Sequence, residues 1–121
     1  MILTNEQIYG ITEALYELRV AAMPVKLSFL IAKNAIILEP YYKAINEARD
    51  KVLKQFGYDG SPDFRFSDEQ VDQVNTELLK LQAMENEVPT AAIPLSALLE
   101  QETNVTPAFI QTLYPLISEE A

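Results

Sequence analysis

Apolar residues recur at helical spacing over most of the chain. Ile8, Ile11, Leu15 and Leu18 predict an amphipathic helix from about Asn5 to Val20. Thr4-Asn5-Glu6-Gln7 opens it as a capping box with Thr4 as N-cap. Gly10 weakens that helix by ~1 kcal/mol relative to alanine and points to a close helix crossing. Ala21-Ala22-Met23-Pro24 is a joint too short for anything but an antiparallel or steeply angled helical hairpin. The longest element follows, from Pro24 to Phe56, starting at a proline and stopping at Gly57. One apolar stripe along it is Val25, Phe29, Ala32 and Ile36. The other is Leu27, Leu30, Ile31, Leu38, Tyr41, Tyr42, Ile45, Ala48, Val52 and Phe56. A helix with two stripes is expected to pack between neighbours, so this element reads as the scaffold. Pro40 interrupts it, and an interior proline costs ~3 kcal/mol or more. The stripe nevertheless continues past Pro40 in near register, which predicts a kinked, continuous rod rather than two helices.

Gly57 to Phe66 reads as a loop, with Gly57, Asp59, Gly60, Ser61 and Pro62 in close succession. Ser67 to Gln70 forms a second capping box, with Asp68, Glu69 and Asp72 in the positive first turn. Val71, Val74, Leu78 and Leu81 give the core face of a helix running to about Glu85 or Asn86. Val88 to Leu95 contains two prolines and no helical stripe, so it is expected to be extended, an edge strand or a draped segment able to pair with Ile2-Leu3. Ser96 is a candidate cap for one short turn through Leu99. Thr106-Pro107 starts a last helix with Phe109, Ile110 and Leu113 inward, and Pro115 ends or bends it. The predicted fold is mainly α. It comprises a helical hairpin with a long kinked central helix, a third packed helix, a short extended or β segment and a C-terminal helix, in one domain spanning residues 1–121.

Composition narrows the chemistry. The chain has no cysteine and no histidine, which removes disulfides, thiolate metal sites, Ser-His-Asp and Cys-His catalysis and histidine acid/base work. Three scattered glycines make no phosphate-cradling loop. Asp59, Ser61, Asp63, Arg65 and Ser67 echo a calcium loop, but Phe64 stands where its glycine belongs and Gln70 where its glutamate belongs. The expectation is no enzyme, no metal and no cofactor. The N-terminus lacks the basic region and cleavage site of a signal peptide, and no apolar run approaches the ~20 residues that span a bilayer. Neither membrane association nor secretion is expected.

The net charge of −9 argues against binding a nucleic-acid backbone. The charge is unevenly placed: residues 1–58 carry seven bases and six acids, residues 59–121 two bases and twelve acids. Between Leu18 and Leu38 there is no acid, only Arg19, Lys26 and Lys33. With Ser28 near the helix start and Asn34 on an apolar stripe, these bases form a candidate pocket for a phosphate or carboxylate. The competing reading is a solvated lysine face, an Arg19 that offsets its helix C-terminus, and an Asn34 bonded to backbone or fixing the register of a helical interface. Tyr9, Tyr16, Tyr41 and Tyr42 are candidate interface residues, since tyrosine joins a flat apolar body to a polar tip. Core packing with a wet hydroxyl is the commoner explanation for such residues.

Over Met23-Pro24-Val25-Lys26-Leu27-Ser28-Phe29-Leu30-Ile31-Ala32-Lys33-Asn34 the chain resembles a family of small proteins of unknown function from tailed phages and prophages, chiefly of Gram-positive bacteria. Tyr42 to Arg49, Phe56-Gly57, Glu87 to Pro94, Thr106-Pro107 and Leu113 to Ile117 are similar too. Met23 stands in place of the usual leucine, and Pro40 precedes the position of an acidic, lysine-rich stretch. The resemblance implies a phage origin and a role in the host cytoplasm during infection; it carries no catalytic residues. The expected function is that of a non-enzymatic accessory protein acting by protein–protein binding as a homo-oligomer, antagonising a host defence system. Two alternatives stand beside it: a sponge for an anionic nucleotide signal, held by Arg19, Lys26, Ser28, Lys33 and Asn34, and a minor virion or assembly component.

Overall fold

The computed structural model describes residues 1–101 and 105–118. A short strand, β1 (Ile2–Thr4), leads into α1 (Asn5–Leu18). The Thr4 hydroxyl accepts from the Gln7 amide at 3.1 Å and the Gln7 side chain accepts from the Thr4 amide at 2.9 Å, completing the expected capping box. α2 (Val25–Gln55) runs unbroken for 31 residues and packs along α1. Pro40 has no N–H to offer the Ile36 carbonyl, but both residues lie on the exposed side of the helix, where water can take that bond. α2 stops at a Schellman turn. Gly57 adopts φ 99°, its amide donates to the Lys54 carbonyl at 3.0 Å, and the Tyr58 amide donates to Leu53 at 3.1 Å.

The loop that follows is held by Asp59, whose carboxylate accepts from the Ser61 amide at 2.8 Å, and by an edge-to-face pair of Phe64 and Phe66 with centroids 4.8 Å apart. α3 (Asp68–Ala83) starts at the predicted Ser67–Gln70 box. The Gln70 side chain also donates to the Phe56 carbonyl at 3.1 Å, tying the end of α2 to the start of α3. Val74 is the only buried residue of α3, so this helix is the lightly anchored member of the bundle.

α3 ends two or three residues before the predicted point, and its continuation is a strand, β2 (Glu85–Glu87). The cause lies in the start of α1. Asn5 donates through its side chain to the Leu81 carbonyl at 2.7 Å and through its backbone to Met84 at 2.9 Å, satisfying carbonyls that more helix would need. β2 pairs antiparallel with β1, Leu3 opposite Asn86. The partner of Ile2-Leu3 is therefore Glu85–Glu87, not the proline-bearing segment after it. β3 (Ile93–Pro94) instead pairs in parallel with β4 (Ile117–Ser118) at the end of the described chain. Between them lie α4 (Leu95–Leu99), which has no side-chain cap and begins before Ser96, and α5 (Pro107–Leu113), capped by Thr106. A 3-10 turn over Tyr114–Leu116 carries Pro115. Leu113 is buried, while Phe109 and Ile110 are half-buried.

One core joins all of these elements except α3 and β2. Ile8, Ile11 and Leu15 of α1 meet Ile31 and Leu38 of α2, with Val88, Ile93, Leu98, Leu113 and Leu116 closing the far side. Gly10 faces α5: a methyl group there would sit 3.7 Å from the Thr112 methyl, an ordinary contact. Among the described residues no helix is long and apolar enough to cross a membrane.

Candidate functional site

The first half of α2 carries two faces of similar apolar content and opposite fate. Leu27, Ile31, Ala35 and Leu38 are at most 4% exposed. On the reverse side Val25, Phe29 and Ile36 are 84%, 62% and 69% exposed, and Ala32 between them is exposed too. The expectation that both stripes pack within the chain is thus corrected. Only the longer stripe is covered; the shorter one faces outward. Its residues follow one another at spacings of four, three and four, the narrow seam of a coiled-coil helix. It extends ~16 Å at the helical rise of 1.5 Å per residue.

The seam has charged flanks. Lys26 and Lys33 stand seven residues apart along one side and are solvent-exposed. Along the other side runs a groove of about 140 Å³ between α1 and α2, floored by Ala32 and Ala35 and walled by Tyr16, Arg19, Ile36 and Glu39. The Arg19 guanidinium lies 4.7 Å above the centre of the Tyr16 ring, a cation–π contact that holds it at the groove wall. Glu39, at the far end, pairs with Lys43 at 3.2 Å.

The residues expected to form an anion pocket are not gathered into one. Asn34 is fully buried and its amide fully used. It donates to Leu30 and Ala91 carbonyls and accepts from the Ala91 amide, each at 2.9 Å. It pins the extended segment before β3 onto α2, so of the two readings of this residue, the backbone-bonded one describes it. The Ser28 hydroxyl donates to the Met23 carbonyl at 3.3 Å, across the joint. Arg19 lines the groove; Lys26 and Lys33 stand along the opposite side of the seam.

The four tyrosines are half-buried and make their contacts within the chain. Tyr9 stacks on Tyr42 with centroids 5.0 Å apart, and Tyr16 meets Tyr42 edge-on at 5.7 Å. The Tyr42 hydroxyl donates to Glu13 at 3.2 Å, and Tyr41 reaches the Glu87 carbonyl at 3.3 Å. The hydrogen bond with Glu13 and then that with Tyr42 push the Tyr9 phenol up to about 12. Burial, followed by the nearby Glu39 charge, pushes the Tyr16 phenol up as well. The rings of Tyr9, Tyr16 and Tyr42 pack between α1 and α2.

Sequence reasoning missed a second concavity. A cleft of about 170 Å³ opens where α1, α2 and α3 meet, with Glu6 and Arg49 at its rim and Ile45, Leu78 and Leu81 in its floor. Its residues come from three separate helices, and no local pattern links them. No protein-family model, curated protein or solved structure matches the chain.

Proposed function

We propose that this chain is a non-enzymatic binding protein that works by docking a protein partner on the outer face of α2. The observation that carries this reading is the bare seam of Val25, Phe29, Ala32 and Ile36, contiguous, helical in spacing and edged by cations. Apolar side chains scattered singly over a surface need no explanation, whereas a contiguous row of them marks an interaction site. An amphipathic helix laid along such a row would be recognised through side chains one helical turn apart. The resemblance in the same stretch adds a setting: a phage accessory protein made in the host cell, whose partner is a host or phage protein.

Site-specific photocrosslinking tests this. Benzoylphenylalanine placed at Phe29 and expressed in a Gram-positive bacterium should give one crosslinked species of defined mass. The same probe at exposed Lys51 should give none, and Ile36→Glu in the Phe29 probe chain should remove the species. Equal crosslinking from both positions, or none from Phe29, would overturn the proposal.

A further inference from the structure

We infer that the occupant of this face is an acidic amphipathic helix rather than a second copy of the chain, an inference that rests on the outer face of α2 being a docking site. In coiled-coil terms Val25 and Ala32 occupy one seam position and Phe29 and Ile36 the other, which puts Lys26 and Lys33 together on one flank and Ser28 and Ala35 on the other. Two copies pairing antiparallel through the seam would set Lys26 of each against Lys33 of the other. Pairing in parallel would set the lysines beside Ser28 and Ala35, which offer no charge in return. Among the described residues lining the adjoining groove the one acid is Glu39, which already holds Lys43.

A partner helix with carboxylates on both flanks meets cations on both sides: Lys26 and Lys33 along one edge, Arg19 along the other. Arg19 is oriented for that role by its stacking on Tyr16. The small side chains of Ala32 and Ala35 let one large apolar residue of the partner enter the groove between α1 and α2. The overall charge of −9 does not oppose this at physiological salt. Charges beyond the ~8 Å screening length contribute little, and Glu39, the acid that lines the groove, is paired with Lys43. Like charges juxtaposed across an interface suppress the wrong partner as effectively as opposite charges favour the right one.

The probes are two three-heptad helical peptides with identical leucine seams, one flanked by glutamates and one by lysines, each fluorescein-labelled. Fluorescence anisotropy with the full chain at physiological salt should show the glutamate peptide binding about tenfold tighter, the equivalent of about 1.4 kcal/mol. Lys26→Glu with Lys33→Glu should invert that preference. Phe29→Ser should abolish binding of either peptide while leaving the thermal unfolding midpoint unchanged, because its ring lies outside the core. Sedimentation of the chain alone runs alongside.

The acidic-helix inference falls if the lysine peptide binds equally well or better, or if the chain is a dimer that Phe29→Ser dissociates. In both cases the docking face itself survives. Failure of both peptides to bind, together with a monomer in sedimentation, would overturn the docking face as well.

Discussion

The two faces of α2 before Pro40 differ little in composition and completely in what covers them. Leu27, Ile31 and Leu38 lie under α1 and the segments around β3, whereas Val25, Phe29 and Ile36 lie under solvent. An apolar stripe states only that burial is favourable. What supplies the burial is set by the rest of the fold. Here α1, the extended segment and the C-terminal elements all collect on one side of α2. Asn34 helps to choose that side. It sits in the middle of the covered face, and its three hydrogen bonds with Leu30 and Ala91 hold the extended segment there.

The contrast is broken most directly by matched truncations. Ile31→Ala removes a fully buried side chain and should cost ~2–5 kcal/mol, the range for isoleucine to alanine in a core that relaxes only partly. Ile36→Ala, one and a half turns later on the bare face, should stay within ~0.5 kcal/mol of the parent. Urea unfolding followed by circular dichroism measures both. Equal costs would mean that the outer stripe is buried in the folding unit, and the two faces would no longer be different.

Asn34→Leu isolates the polar pin on the covered face. Leucine keeps the approximate volume but leaves the Ala91 amide and the Ala91 and Leu30 carbonyls without this partner, at a cost of ~1–3 kcal/mol. Hydrogen exchange should show where the loss falls. The Ala91 amide should exchange faster in the variant by more than the global loss of stability explains, while amides of α1 should follow the global loss. Uniform acceleration across both would mean that Asn34 is one more core residue with no special hold on the segment.

These contrasts also mark what could be read from the chain alone. Features set within a few residues were legible: the capping boxes at Thr4 and Ser67, the glycine stop at Gly57, and the helical periods of α1 and α2. Features set by distant partners were not. Nothing near Glu85 announces that Asn5, eighty residues earlier, takes the carbonyls at the end of α3 and turns the chain into a strand. The Val25–Ile36 spacing was visible, but its exposure depends on the positions of every other element. The basic flank was visible as an acid-free window. Its geometry, with Arg19 and the lysines on opposite sides of an apolar row and Asn34 on the reverse face, required the fold.

Beyond Pro40 the α1–α2 contact changes character, from aliphatic packing to phenols and a carboxylate, and this gives the smallest effect. Tyr9 ordinarily titrates near 10 but is held protonated up to about 12 by its hydrogen bond with Glu13, then by that with Tyr42, then by burial. The folded chain therefore keeps a proton that the unfolded chain releases. The resulting stabilisation is complete below pH 10 and declines as pH rises through the interval from about 10 to 12. Tyr9→Phe removes that proton from both states, so the variant should lose less stability than the parent over that interval. Part of the slope should remain, because the Tyr16 phenol is raised too, first by burial and then by the Glu39 charge, with Arg19 and Lys43 opposing. Urea titrations at pH 9 and pH 11 measure the difference. Identical losses in the two proteins would mean that Tyr9 releases its proton equally in both states, leaving the aromatic half of the contact held by ring packing alone.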